Sequence, residues 1–233
     1  MSLFPSVVLP YFCAMRIALV FALVALWSCG SAPAEDTVEA PTADATFAGV
    51  FANGVFIHER LKFTLPVAEG WRILPQEELS GRQTATLELL RRKVSDLDGR
   101  AEAFAPFLAL EPYASPDSSY VTLLFMAEDL ERLPQVNNAY DYFNQQAAQV
   151  SGQSPEVFPR YEFSDISQQA IGGRQAFSRG TMSHSSATEM KPMLSYAVPC
   201  GTDMLIVQVA NFDSAEELNL ARGLLDQLVW TTK

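Results

Sequence analysis

Residues 161–212, YEFSDISQQAIGGRQAFSRGTMSHSSATEMKPMLSYAVPCGTDMLIVQVANF, decide the fold. Four strand-like runs can be read in them, 161–171, 174–183, 190–199 and 204–212, rich in β-branched, aromatic and aliphatic residues. Gly172-Gly173 separates the first two and Gly201-Thr202-Asp203 the last two. Both are hairpin punctuation, because the tightest hairpin turns need backbone conformations that glycine adopts at no steric cost. Strands joined this way run antiparallel to their neighbours, so the segment predicts a meander. Asp213-Ser214 then offers a helix N-cap, with Glu216 and Glu217 in the first turn and Leu218, Ala221, Leu225 and Leu228 on one face. That helix should pack on the sheet.

Upstream, 107–113 and 120–126 read as two strands, and the Ala-Ser-Pro-Asp-Ser-Ser stretch between them favours a hairpin. Residues 136–150 place Ala139, Tyr142, Phe143, Ala147 and Val150 on one side of an amphipathic helix that Ser151-Gly152 closes. The segment 55–65 alternates at Leu61, Phe63 and Leu65 and reads as one half-buried strand ended by Pro66. Gly70-Trp71 marks a turn. Residues 76–95 read as a helix with acid early and Arg91, Arg92 and Lys93 late, the arrangement the helix dipole favours. The order strand, helix, hairpin, helix, meander, helix predicts an α+β fold whose mainly antiparallel sheet is covered by helices. No repeat or internal linker interrupts 50–233, so one domain is expected there.

Four stretches of this chain resemble the PsbP-like superfamily, and in character the DcrB-like bacterial lipoproteins within it. They are Leu65-Pro66 followed by Gly70-Trp71, the helix after the paired strands, Ile171-Gly172-Gly173-Arg174-Gln175-Ala176, and Leu205-Ile-Val-Gln-Val-Ala-Asn211 leading through a last helix to Leu228-Val-Trp230. The resemblance implies an α/β/α sandwich with a central antiparallel sheet, and a role in binding or assembly rather than a particular reaction. The helix at 76–95 looks like an addition to the superfamily pattern.

The 233 residues are 48% hydrophobic, and 16 Lys and Arg stand against 27 Asp and Glu for a formal charge of −11. A surface of that sign repels phosphate backbones, so nucleic acid is not an expected partner. The hydrophobic residues are uneven. Residues 1–34 carry one charge, Arg16, ahead of the apolar run 17–27, which is too short to span a bilayer and is followed by Ser28, Cys29, Gly30 and Ser31. Read from Met15, which makes a simpler start than Met1, this is a signal peptide ending at residue 28. Leu26-Trp27-Ser28-Cys29 resembles a bacterial lipobox, with Trp27 bulkier than is usual, and implies lipidation of Cys29. The alternative is an unmodified cysteine in a simple signal peptide or uncleaved anchor.

Residues 29–49 then form an acidic Ala/Pro/Thr linker that sets reach from the membrane. These readings place the chain in the bacterial cell envelope, on the extracytoplasmic side. Its expected partners are the membrane, through the lipid anchor, and an unidentified protein or envelope component.

Candidate chemistry is sparse. Once Cys29 is acylated and Cys13 removed, Cys200 is the one thiol left, beside a turn; it reads as a structural thiol, with a nucleophile as the alternative. His58 and His184 lack metal-type spacing to Cys, Asp or Glu, so no metal site or cofactor is expected. Ser178 and Ser183 lie near His184 in sequence without a nucleophile elbow. Glu77-Glu78, Glu128-Asp129 and Glu216-Glu217 read as helix-entry or solvated charges, since neighbours on a helix diverge by about 100°. Tyr142 and Phe143 read as core, with Tyr140 beside them as part of an alternative binding face. No catalytic residue is assigned. The expectation is a non-catalytic binding domain, with a hydrolase whose site is scattered in sequence, or a carrier of an apolar small ligand, as alternatives.

Overall fold

The Asn53-Gly54, Gly172-Gly173 and Gly201-Thr202 pairs each join two antiparallel strands by the shortest possible turn, and their backbone torsions show how. Asn53 and Gly54 have φ of 52° and 76°, and Gly172 and Gly173 have φ of 54° and 77°. Positive values at both central residues are the type I′ pattern, whose twist matches that of paired strands. Gly201, at φ 73°, is positive alone, the pattern of type II′.

The computed structural model describes residues 48–75, 78, 106–113, 121–151, 160–184 and 190–231. Strands β1 (Val50–Ala52), β2 (Val55–His58), β3 (Phe63–Pro66) and β12 (Val229–Trp230) form a small antiparallel sheet in the order β1-β2-β3-β12. The larger sheet runs β4 (Trp71–Ile73), β5 (Leu108–Pro112), β6 (Thr122–Asp129), β11 (Asp203–Ala210), β10 (Met190–Cys200), β9 (Arg174–His184) and β7 (Arg160–Phe163). An eighth strand, β8 (Ser167–Ile171), pairs with the other half of the same edge of β9. All pairings are antiparallel. Helices α1 (Ala139–Ser151) and α2 (Ala215–Leu225) complete the described elements.

β11 is buried at every position, so it must be covered on both faces. On one face Leu205, Val207 and Val209 join Phe56 and Phe63 of the small sheet and Leu224 of α2 in one apolar cluster. On the other, α1 lies over β7, β9 and β10 and buries Ala139, Tyr142 and Phe143 completely. Full burial of a large apolar side chain contributes about 1.5–3 kcal/mol, so Phe143 alone anchors much of that contact. The result is an α+β sandwich around a central antiparallel sheet, as the sequence predicts. One of its outer layers is built jointly from α2 and the small sheet.

Helix starts follow local chemistry. Asn138 Oδ1 accepts from the Asp141 N–H at 2.9 Å ahead of α1. Ser214 Oγ accepts from the Glu217 N–H at 3.2 Å, while Glu217 Oε2 reaches back to the Asp213 N–H at 2.6 Å. Each satisfies donors that a helix start leaves without an intrahelical partner.

Two expected strands are each split in two. The segment 161–171 becomes β7 and β8, because Ser164 turns to the β9 backbone, accepting the Gly180 N–H on its hydroxyl and donating its own N–H to the Gly180 carbonyl, both at 2.9 Å. The segment 55–65 becomes β2 and β3. There the His58 Nδ1 accepts the Leu61 N–H at 3.2 Å and Lys62 takes a left-handed φ of 58°, reversing the chain within four residues. Of the helix read at 76–95 only Glu78 is described; the remainder lies outside the described residues, as do residues 1–47 with Cys29.

Candidate functional site

That unexpected reversal at 59–62 brings Arg60 and Lys62 to the end of the molecule where the Gly172-Gly173 and Gly201-Thr202 turns also lie. Arg60 donates to both carboxylate oxygens of Asp203, Nε to Oδ2 at 2.8 Å and Nη2 to Oδ1 at 2.6 Å. This two-point contact is the strongest geometry an Arg–carboxylate pair adopts, and it clamps the small sheet to the β10–β11 hairpin. Lys62 holds the last segment in place through its carbonyl, which accepts the Thr231 N–H at 2.9 Å.

The opposite wall is set by close approach. A Cβ on Gly172 would collide with the Leu228 carbonyl oxygen, so only glycine permits the β8–β9 turn to lie against the residue before β12. The contact lets the Trp230 indole Nε1 donate to the Ile171 carbonyl at 2.8 Å. With its edge bonded and its ring edge-to-face with Phe63 at 5.9 Å, the indole is held in one orientation. The Arg174 guanidinium sits 4.6 Å from the indole ring centroid, within the reach of a cation–π contact.

Between these segments lies a cleft of about 600 Å3 lined by Arg60, Lys62, Arg174, Cys200, Gly201 and Trp230, among others. Arg60 is neutralised by Asp203. Lys62 and Arg174 have no carboxylate partner among the described residues. A chain with a formal charge of −11 thus presents a cationic, tryptophan-walled hollow, a local inversion of its overall field.

Cys200 is in this wall. Its thiol donates to the Val198 carbonyl at 3.4 Å, and Arg174 Nη1 stands 3.9 Å from the sulfur. Burial pushes the thiol pKa up, and the Arg174 charge only partly offsets that. It is therefore a protonated thiol at neutral pH, the opposite of an activated nucleophile.

The other residues singled out from sequence are dispersed. His58 is 1% exposed and packs among the rings of Phe56, Phe63 and Phe107, the last at 4.6 Å. His184 pairs with Met190 at the other end of β10 from Cys200. An eleven-residue strand separates its ends by roughly 34 Å, so those two cannot share a site. His184 Nε2 lies instead 3.3 Å from Glu162. Ser178 is buried in a hydroxyl and amide network with Ser167 and Gln169, and Ser183 is buried on the face that meets α1. Ser183, Ser178 and His184 therefore form no nucleophile–base pair.

Of the acid pairs, Glu216 and Glu217 lie in the first turn of α2, as expected. Asp129 caps the short helical turn Leu130–Arg132 by accepting the Glu131 N–H. Its neighbour Glu128 is buried rather than solvated, at a strand end whose alternation turns it inward. Glu78 contacts Arg72 at 3.3 Å; Glu77 lies outside the described residues. Tyr142 and Phe143 are core and Tyr140 is half exposed. Among the described residues no group of three or more His, Cys, Asp or Glu is placed to hold a metal ion, and no helix is long and apolar enough to cross a membrane.

Composition and spacing do not single out Arg60, Lys62, Arg174, Asp203 and Trp230 as a site. Arg174 and Trp230 do fall within the stretches that carry the superfamily resemblance, and both line the cleft.

No family model matches the chain, and no curated protein matches it. Among solved structures it is similar to LpqN, involved in cell envelope biogenesis of Mycobacterium tuberculosis, with 16% identity over 73% of this chain and 83% of that one and a TM-score of 0.39. It is similar to PsbP (CyanoP) of Synechocystis sp. PCC 6803, with 8% identity over 87% and 98% of the two chains and a TM-score of 0.41. A third similar structure is a Pseudomonas aeruginosa protein of unknown function, PA94, a putative regulator, with 10% identity over 54% and 83% and a TM-score of 0.42.

Proposed function

We propose that the chain is an exported lipoprotein, tethered through Cys29 to a membrane of the bacterial cell envelope, whose domain at 50–233 binds a protein or envelope component without catalysing a reaction. The observation that carries this reading is the cleft. It pairs a fixed indole with two cations that no carboxylate of the described residues neutralises, and it offers recognition groups without an activated nucleophile. A few convergent polar groups on a partly apolar wall are the usual make-up of a ligand site. The signal-like run 17–27, Cys29 and the acidic linker support the tether.

Metabolic labelling with a fatty-acid analogue tests the anchor: wild type should incorporate it and Cys29→Ala should not, and equal labelling of both overturns the tether. A photo-crosslinking residue at Thr231, on the cleft rim, tests the binding surface in cells. A discrete adduct is expected there and should weaken in Arg174→Gln. Equal adducts from a probe at Lys191, toward the other end of β10, overturn the cleft as the surface used.

A further inference from the structure

We infer that the cleft binds a phosphate group, a monoester or diester carried by an envelope component, between Lys62 and Arg174. This rests on the binding-domain reading above and names the chemistry of its ligand. The available donors decide the class. Arg174 has one face against the Trp230 ring and its Nη1 turned to the Cys200 sulfur, which leaves the remaining in-plane N–H groups of the guanidinium as its recognition surface; these match the oxygens of an oxyanion. Lys62 lines the same cleft from the turn between β2 and β3 and supplies a compact point charge with three donors.

Two separate cations, one a point charge and one a planar fork, are served together by a group whose oxygens point in several directions, which favours a tetrahedral oxyanion over a single planar carboxylate. Arg60 does not compete for it, being held by Asp203 at two points. Around Gly173 and Gly201 a Cβ would meet no atom within 4 Å, so the backbone there leaves room for a bulky group to approach.

Topology favours a ligand at the membrane. β1 begins at Val50, which is paired with Ile57, one residue before His58 and the turn that carries Arg60 and Lys62. The linker therefore joins the fold at the same end as the cleft. A tether of about twenty residues holds that end within tens of ångströms of the surface to which it is attached.

The test uses the full chain in non-ionic detergent with Trp27→Phe and Trp71→Phe, so that Trp230 is the one reporter. Titration with inorganic phosphate and with glycerol phosphate should change its emission saturably, and glycerol should not. Lys62→Gln and Arg174→Gln should each raise the dissociation constant at least about tenfold, as loss of a charged hydrogen-bonding partner does. Arg174→Lys should restore part of it. Lys62 is exposed and has no side-chain partner among the described residues, so its variant reports binding even if Arg174→Gln disturbs the indole.

Reconstitution into phosphatidylcholine vesicles with and without phosphatidylglycerol separates the sources. A response to phosphatidylglycerol assigns the phosphate to lipid, and a response to the free esters alone assigns it to a soluble or polymeric ligand; both support the inference. No response to any phosphate probe overturns it. So does a Trp230 shift produced only by neutralising Glu35, Asp36, Glu39 and Asp44, which would show the chain's own linker in the cleft. Neither result touches the labelling of Cys29, so the tether reading stands or falls separately.

Discussion

Two adjacent glycines at the β8–β9 turn do different work. Gly172 and Gly173 both have positive φ, which costs an L-residue about 1–2 kcal/mol. Around Gly173 a side chain would meet open space, whereas at Gly172 it would strike the Leu228 carbonyl. Gly173→Ala should therefore lose only that conformational penalty, about 1–2 kcal/mol. Gly172→Ala should lose more, about 3 kcal/mol or above, because a rigid backbone atom must shift as well. Urea unfolding of the two variants checks this, and equal midpoints would show that the Gly172–Leu228 contact is not close. Gly172→Ala should also displace Trp230, which hangs on the Ile171 carbonyl one residue away.

At the scale of elements, the fold was legible wherever periodicity and turn residues agreed. The β8–β9 and β10–β11 hairpins sit at their glycine turns, β5 pairs with β6, and α1 and α2 fall on their apolar stripes. The 55–65 segment misled because only Phe63 and Leu65 of its alternation belong to β3, while Leu61 is buried from within the turn that precedes it. The reversal before it depends on a histidine nitrogen accepting a backbone N–H three residues on, and no period encodes that. The cleft was illegible for a related reason. Arg60 and its partner Asp203 are 143 residues apart, and Arg174 meets Trp230 only once β9 and β12 are in place. Lys62, in the left-handed region without glycine's freedom, makes a prediction for the reversal itself. Lys62→Gly relieves that torsion and should raise stability by up to about 1 kcal/mol, the remainder being offset by glycine's larger unfolded-state entropy. Chemical denaturation reads it, and a lower midpoint would mean that the lysine stem packs where its charge was taken to matter.

For the whole molecule, burial of phenols on both sides of the large sheet links stability to alkaline pH. Tyr142 is pushed well above its usual range by burial and then by the charge of Glu128. Tyr161 is raised by burial, and so is Tyr196, although Arg222 opposes it. A phenol whose folded pKa is raised contributes stability that is complete below its unfolded pKa of about 10 and is lost as pH rises beyond it. Resistance to denaturant should therefore stay level through neutral pH with respect to these groups and fall above about pH 10, less steeply in Tyr161→Phe. Phenolate absorbance should appear together with the loss of circular dichroism; ionisation at ordinary pH with the fold intact would contradict the burial.

Load transmitted from the N-terminal side meets the fold at β1, an edge strand of three residues with all of its side chains exposed. Peeling Val50–Ala52 from β2, together with the Asn53-Gly54 turn, exposes little apolar core and would pay out five residues, about 17 Å of extra length. Under a pull the molecule would thus yield first as a short mechanical fuse, while the Arg60–Asp203 clamp and the hairpins beyond it keep their shape.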